Sequence, residues 1–475
     1  MNGYELVIGL EVHVELKTAS KIFCACPTRF GAPPNTQCCP VCMGLPGALP
    51  MLNRRAVELG IMAGLALNCK VSSLCRTDRK QYFYPDLPKA YQISQDHAPL
   101  CRDGYLEIES EDGTPKRIGI VRIHIEEDAG KLIHTGERTL VDYNRCGVPL
   151  IEIVSAPEMH SAAEAVAYLK SLRAILLTCG ISDCRMQEGS MRCDVNVSVR
   201  RRGSDTLGVR SEIKNVNSFA FVEKAIRFEE ARQVALLEAG KPLHAQTRRY
   251  DEASGQTVCM RAKESGEDYR YLGEPDLLPI RLEYHEIEQL RNALPELPNA
   301  RLERLVRQYG ITAASAQILV SERALADFFE NAAAHSHYPV LLVHLLLSDL
   351  LRFCGSDPFV SPVDSARLCE LAELMGDKTI NSATAKKLLS RLLKEDFFPT
   401  ETVEREGLAQ LRDRTQILSL AERAILEMPR AAEDYCGGKT AALKALLGKM
   451  MSLSAGRADP ELCEQLLLEK LNKEG

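Results

Sequence analysis

Glu5-Leu6-Val7-Ile8-Gly9-Leu10-Glu11-Val12-His13-Val14-Glu15-Leu16 alternates without a break: Leu6, Ile8, Leu10, Val12, Val14 and Leu16 share one side, while Glu5, Val7, Gly9, Glu11, His13 and Glu15 share the other. Alternation of period two marks a strand with one face against a core and the other open. The pattern recurs from Ile118 to Asp128, where Val121, Ile123 and Ile125 oppose Arg122, His124, Glu126 and Asp128. It recurs again from Arg192 to Arg200, with Cys193, Val195, Val197 and Val199 opposite Arg192, Asp194, Asn196, Ser198 and Arg200. Gly203-Ser204-Asp205 then leads into Val209–Val216, with Arg210, Glu212 and Lys214 on one face, so the last two runs predict a hairpin with a longer loop. The expectation is an antiparallel sheet with an apolar face under helices. Its polar face collects carboxylates, imidazole, Asn and cations where an ordinary wet face carries mixed Lys, Glu, Thr and Ser.

Helices flank these strands. Ser161-Ala162-Ala163-Glu164 has the pattern of a capping box, and the apolar positions after it run to Gly180. A second helix follows Ser218 and ends near Gly240, and a third, rich in small residues, spans Arg54 to Asn68. From about Asn292 onward Gly becomes rare and Leu, Ala, Arg and Glu recur at helical spacing. The Pro-rich stretch Leu294–Pro298 and the softer break Phe398-Pro399-Thr400-Glu401 divide the 475 residues into 1–293, 294–400 and 401–475. The fold class expected is α+β: an antiparallel-sheet domain, then an all-helical domain and a small helical tail.

Bulk composition narrows the class of function. Hydrophobic residues make up 45% and charged residues 26%, as in ordinary globular proteins, and the net charge of −6 argues against a uniformly basic nucleic-acid coat. No apolar run reaches the length of a membrane span and the N-terminus lacks the pattern of a secretory signal, so a cytoplasmic location with no membrane partner is expected. Of 17 cysteines, most, such as Cys179, Cys259 and Cys354, stand singly and read as small buried thiols. Cys24-x-Cys26 and Cys39-x-x-Cys42 do not. Two close pairs across a Pro/Gly-rich loop fit a structural zinc site, with Cys38 as the spare; a redox pair or unligated thiols are the rivals.

Three further features carry chemistry. Glu11 and His13 point the same way from one strand, about 7 Å apart at their roots. Glu126 shares a polar face on another strand, with Glu127 on the opposite one. Glu152 sits inside the apolar run Val148–Val154 and needs a cation there, either a metal or an arginine such as Arg145. Carboxylates with one imidazole suit Mg²⁺ or Mn²⁺ better than Zn²⁺. The stretch Asp78–Lys89 interleaves cations, tyrosines and prolines and reads as an ordered loop for a phosphate, a nucleotide or a tRNA end. No Walker-type phosphate loop and no amidase signature occur. Lys439, Lys444, Lys449 and Arg457 in the tail suit phosphate contacts or a solvated helix face.

Several runs resemble the B-subunit family of aspartyl/glutamyl-tRNA(Asn/Gln) amidotransferases: Ile8–Leu16, Tyr82–Gln95, Glu126–Lys131, Asp142–Arg145, Glu188–Asn196, Glu212–Asn215 and Asp268–Tyr271. They follow one another in family order over nearly the whole chain. The resemblance implies a cradle-shaped catalytic domain, a helical domain and a tRNA-contacting tail. It also implies a ligase that uses ATP and Mg²⁺ to phosphorylate the side-chain carboxylate of Glu-tRNA(Gln) or Asp-tRNA(Asn). Ammonia from glutamine, made by an amidase (the A subunit) in a heterotrimer with a small C subunit, then displaces the phosphate. By the same resemblance Glu11, His13, Glu126 and Glu152 hold Mg²⁺; Cys24, Cys26, Cys39 and Cys42 hold zinc; and Lys80 lines the mouth of an ammonia channel. Asp194, Asn196 and Lys214 join the polar face as candidate ATP-binding residues. Tyr271-Leu272-Gly273-Glu274 departs from the family pattern, which has an aromatic and a proline there, and the tail lacks the lysine usual after Met451. A non-catalytic tRNA-binding scaffold is the competing function. The archaeal-type relative is set aside because Ile280–Leu294 leaves no room for its inserted domain.

Overall fold

The computed structural model describes residues 3–262, 269–354 and 359–474, so Asp268 of the Asp268–Tyr271 motif lies outside the described residues. The chain forms two compact units, Met1–Pro298 and Asn299–Gly475. The first is built on nine strands: β1 (Tyr4–Glu15), β2 (Lys70–Val71), β3 (Cys101–Glu109), β4 (Pro115–Glu127), β5 (Pro149–Ser155), β6 (Met191–Arg201), β7 (Ser211–Lys214), β8 (Gln246–Asp251) and β9 (Gln256–Ala262). Their order across the sheet is β9-β8-β7-β6-β1-β5-β4-β3-β2. All pairs are antiparallel except β7 with β8, which is parallel, so the large sheet is mixed rather than purely antiparallel. The hairpin read from Arg192–Val216 is present as β6 and β7.

The apolar face behaves as alternation requires. Ile8, Leu10, Val12 and Val14 of β1 are at most 1% exposed. They lie in one core with α1 (Arg54–Ala66), α2 (Ala162–Thr178) and residues of α3 (Phe219–Glu238). The small residues of α1 are a matter of fit: a Cβ on Gly64 would come 2.3 Å from Cys101 Sγ. Ser161 caps α2 by accepting from the Glu164 amide, but the Glu164 carboxylate accepts from the amide of His160 rather than closing the box on Ser161.

Three local expectations are corrected. Val121 is half exposed, because the phase of β4 changes where the β5 partners step from Arg122 to Ile120, and Ile118 and Ile120 take the buried positions. Asp78–Gln81 is a strand, paired with Tyr91–Ser94 and with Leu272–Gly273 in a smaller three-stranded sheet. Only the remainder of Asp78–Lys89 is the turn that its prolines demand. Cys259 is exposed and Cys354 half-buried, whereas Cys179 is buried as expected.

The second unit is helical and contains two separate hydrophobic clusters. One gathers Leu305, Phe329, Leu346, Leu371 and Leu388, and the other Ile417, Leu446, Met450 and Leu466. Val403, on the helix Pro399–Glu406, packs in the first cluster, and Gly407 ends that helix in the left-handed conformation. Leu294 and Leu297 pack against the core of the first unit. No helix among the described residues is long and apolar enough to cross a membrane.

One buried carboxylate ties α3 to the sheet edge. Glu229, fully buried, accepts from Arg232 at 2.5 and 2.9 Å, Gln233 at 3.0 Å and Thr257 of β9 at 3.0 Å, and faces Arg248 of β8 at 3.3 Å. Burial raises its pKa, but the hydrogen bonds from Arg232 and Gln233 prevail and hold it below the usual value. A depressed native pKa stabilises the fold fully above the unfolded value of about 4.3, and this stabilisation is lost as pH falls through the native pKa. Glu229→Gln is expected to cost about 3 kcal/mol at pH 7. In urea unfolding series the penalty should shrink as pH is lowered toward 3. A penalty that does not change with pH would show that the charge is not what this residue contributes.

Candidate active site on the polar sheet face

Strand register assembles the site. Arg192 of β6 pairs with His13 of β1, His13 with Glu152 of β5, and Glu152 with His124 of β4, so four polar side chains form one row across four strands. Glu126, two residues beyond His124, projects from the same face. His13 Nε2 lies 3.4 Å from both Glu126 Oε1 and Glu152 Oε2, and His124 Nε2 lies 3.4 Å from Glu152 and 3.7 Å from Glu126. Two carboxylates thus share two imidazoles, and Glu152 does not pair with Arg145, which instead faces Asp128 at 3.4 Å and donates to the carbonyls of Ala129 and Gly130.

Electrostatics follow this packing. Burial lowers the pKa of both histidines, yet the carboxylates overcome it: His13 is raised, and His124 is raised to about 9. Burial pushes Glu126 and Glu152 up, and the imidazoles bring both below the ordinary value. Lys80 leans over the group with its ammonium 4.8 Å from the Tyr269 ring. Burial disfavours its charge, but Glu126, Tyr271 and Glu152 more than offset this and raise its pKa.

The structure divides the four residues read as one ion site. Ligand atoms of His13, Glu126 and Glu152 lie within 4.8 Å of one another, while Glu11 groups with Asp194 and Glu212 at the same spacing. In that second group Asn196 donates to Glu11 at 2.9 Å, Lys214 to Asp194 at 2.6 Å and Thr247 to Glu212 at 2.9 Å. A cavity of about 320 Å³ joins the two, walled by His13, Lys80, Glu126, Arg192, Asp194 and Lys214 among others. Asn196 Oδ1, His124 Nδ1, Arg122 Nε and Arg192 Nε are buried without a protein partner, so this face has donors and acceptors to spare. Oxygen donors with one or two imidazoles fit a hard divalent cation. A wider groove of about 550 Å³, lined by residues of Pro50–Ile61 and Asp276–Leu290, lacks such a cluster.

The cysteine pairs converge as well. The Sγ atoms of Cys24, Cys26, Cys39 and Cys42 lie within 4.8 Å of one another, and sulfurs around a tetrahedral zinc stand about 3.8 Å apart. Cys39-x-x-Cys42 is followed by turns, with no helix until Arg54, which removes the setting a redox pair uses. The hydrogen bond from Cys24 is the largest influence on Cys42. Against burial, and helped by the Cys39 amide and the Lys21 ammonium, it brings the Cys42 thiol down to about 4. The set fits a thiophilic divalent metal, and Cys38 stands aside against Asn144.

His124, Asp128, Arg192 and Glu212 were not placed in the site from sequence, although each shares the strand phase of a residue that was. Asp128 holds Arg192 at 2.7 Å. In the tail, Lys439 pairs with Asp434, Lys449 with Glu427, and Arg457 donates to the Gly407 carbonyl, which favours a solvated, internally paired surface for these three.

Comparison with known proteins fits this picture. Residues 6–288 match the family described as the GatB/GatE catalytic domain, and residues 327–471 match that described as the GatB domain. The aspartyl/glutamyl-tRNA(Asn/Gln) amidotransferase B subunit of Carboxydothermus hydrogenoformans is 48% identical, with 100% of both chains covered. The protein of the same name from Caldanaerobacter subterraneus is 49% identical over 99% of this chain and 100% of its own. The chain belongs to the B-subunit family of these amidotransferases.

The adjacent glutamates stand in different electrostatic settings. Glu127, on the opposite face, is bound by Lys89 at 2.5 and 2.6 Å and accepts from the Ile93 amide at 2.8 Å. Glu127→Gln and Lys89→Met should each lose about 3 kcal/mol, because a buried ion is left without its partner. Glu126→Gln should stay within about 1 kcal/mol of the parent, since the imidazoles can shed a proton. Chemical unfolding of the three variants checks this; equal losses at 126 and 127 would contradict it.

Proposed function

We propose that the chain supplies the carboxylate-activating and amidating site of a heterotrimeric tRNA-dependent amidotransferase, working in the cytoplasm with the amidase A subunit and the small C subunit. The observation that carries this reading is the shared cavity: Glu126 and His13 on one wall, backed by Glu152 and His124, with Lys80, Arg192 and Lys214 on the others. An amino acid carboxylate is inert toward ammonia until one oxygen becomes a leaving group. Its oxygen attacks the γ-phosphorus of ATP and ADP departs. Ammonia nitrogen then attacks the acyl carbon, phosphate leaves, and a proton is lost as the amide forms. The substrates are Glu-tRNA(Gln), Asp-tRNA(Asn) or both.

The cations of the cavity suit the phosphoryl oxygens. Lys80 brings a fixed positive charge beside Glu126, and the aromatic rings of Tyr82 and Tyr269 exclude water next to it. Asp194, Asn196 and Lys214 form the nucleotide-facing side. His13, Glu126 and Glu152, with Glu11 on the adjoining group, would hold Mg²⁺, which when bound neutralises phosphate charge. Cys24, Cys26, Cys39 and Cys42 would hold a structural zinc. We also read the second unit as a helical domain and a tail, on its two separate cores; that the tail contacts tRNA rests on the family resemblance, since three of its cations are paired within the chain.

The assembled complex, given misacylated tRNA, ATP and magnesium, should release ADP in proportion to amide formed. Glu126→Gln should lower this by about 100-fold or more while glutamine hydrolysis by the partner amidase persists. Near-normal amidation in that variant would sink the site assignment. Absence of tRNA-dependent ADP release from the parent complex would favour the scaffold reading instead.

A further inference from the structure

The cysteine cluster rests on a charge that nothing in the proposed reaction uses. Lys21 is fully buried, and among the described residues its ammonium makes no ion pair with a carboxylate. Its polar contacts are Cys42 Sγ at 3.5 Å and the Tyr143 carbonyl at 3.2 Å. Both acids lining the same small cavity are engaged elsewhere, Glu127 by Lys89 and Asp276 by Arg79 at 3.0 Å. The Lys21 amide donates to the Cys26 carbonyl at 2.9 Å, so this residue forms the base of the knuckle.

An ammonium buried without an anion is strongly unfavourable, and a neutral thiol is a poor acceptor. A thiolate resolves both problems. Four cysteinates around a divalent ion carry a net charge of −2, and Cys42, 4% exposed, is the innermost of them. Its sulfur also accepts the Cys39 amide at 3.1 Å. We propose that Lys21 is the built-in counter-ion of a zinc–tetracysteinate centre at Cys24, Cys26, Cys39 and Cys42, a positioning residue that tightens metal binding and ties the centre to the Asp142–Arg145 loop.

The tie is visible in the hydrogen bonds. Lys21 holds the Tyr143 carbonyl, the Gln37 amide donates to Asn144 at 2.8 Å, and the Cys146 thiol donates to the Cys42 carbonyl at 3.4 Å. From the same loop Arg145 holds the carbonyls of Ala129 and Gly130, and Ala129 lines the cavity of the polar face. The metal centre thereby braces one wall of that cavity without touching it.

The test uses the full-length chain and reads metal directly. The parent should carry one zinc per chain, and its cobalt-substituted form should show the charge-transfer absorption of four thiolates. Lys21→Met should weaken zinc about ten-fold or more in competition with a chromophoric chelator while keeping the four-thiolate spectrum. If that variant does not accumulate folded, Lys21→Gln, neutral but still able to donate to Tyr143, replaces it with the same expectation. Lys89→Met, which destabilises the same cavity by another route, should keep the parent's zinc affinity. Parent-like affinity in the Lys21 variants, equal weakening in Lys89→Met, or a parent that binds neither metal would each overturn the proposal. None of these readouts depends on amidation, so failure here leaves the proposed reaction untouched.

Discussion

The register of β1 between β5 and β6 is the constraint on which the site depends. With His13 fixed opposite Glu152 on one side and Arg192 on the other, the functional row needs no loop to place it. A slip of one residue would send Glu11, His13 and Glu15 into the core and Leu10, Val12 and Val14 into the cavity. The near-complete burial of the apolar set penalises that slip heavily. The same packing that holds the fold together therefore positions the candidate site, and it does so on strands rather than loops.

Charge balance is the second organising principle. Nearly every buried ion near the sheet has a dedicated opposite: Lys89 for Glu127, Arg192 for Asp128, Arg79 for Glu274 and Arg232 for Glu229. Glu126 and Glu152 are different, because they share imidazoles whose charge depends on protonation. A group with a permanent counter-ion is support; a pair of carboxylates with exchangeable counter-charge is where a cation or a phosphoryl group can enter.

Much of this was legible in the sequence, for a specific reason. Period-two alternation reports which residues share a face, so Glu11, His13, Glu126, Asp194, Asn196 and Lys214 could be grouped and Glu127 set apart. It does not report which strands are neighbours. The separation of Glu11 from His13, Glu126 and Glu152 follows from β6 lying beside β1 opposite β5, a long-range pairing that no local pattern encodes. His124 was visible in phase with Glu126 but became part of the site only through its pairing with Glu152. Val121 was misplaced because an irregular register interrupts the alternation silently. The parallel pairing of β7 with β8 was hidden as well, since it follows from α3 carrying the chain back to the start of the sheet edge.

Tyr271-Leu272-Gly273-Glu274 is held by a short ladder and one ion pair. Leu272 and Gly273 pair with Arg79 and Asp78, and Glu274, buried, is gripped by Arg79 at 2.8 and 2.9 Å. Gly273 has open space where a side chain would stand, so the backbone ladder at Leu272 and Gly273 and the Arg79–Glu274 ion pair fix this segment. It lies one residue from Lys80 along the strand it joins. The pairing of Arg79 with Glu274 therefore anchors the strand from which Lys80 reaches toward the paired carboxylates, and Tyr269 and Tyr271 on the same segment flank that ammonium. The segment thus supplies a fixed edge beside a half-buried cation.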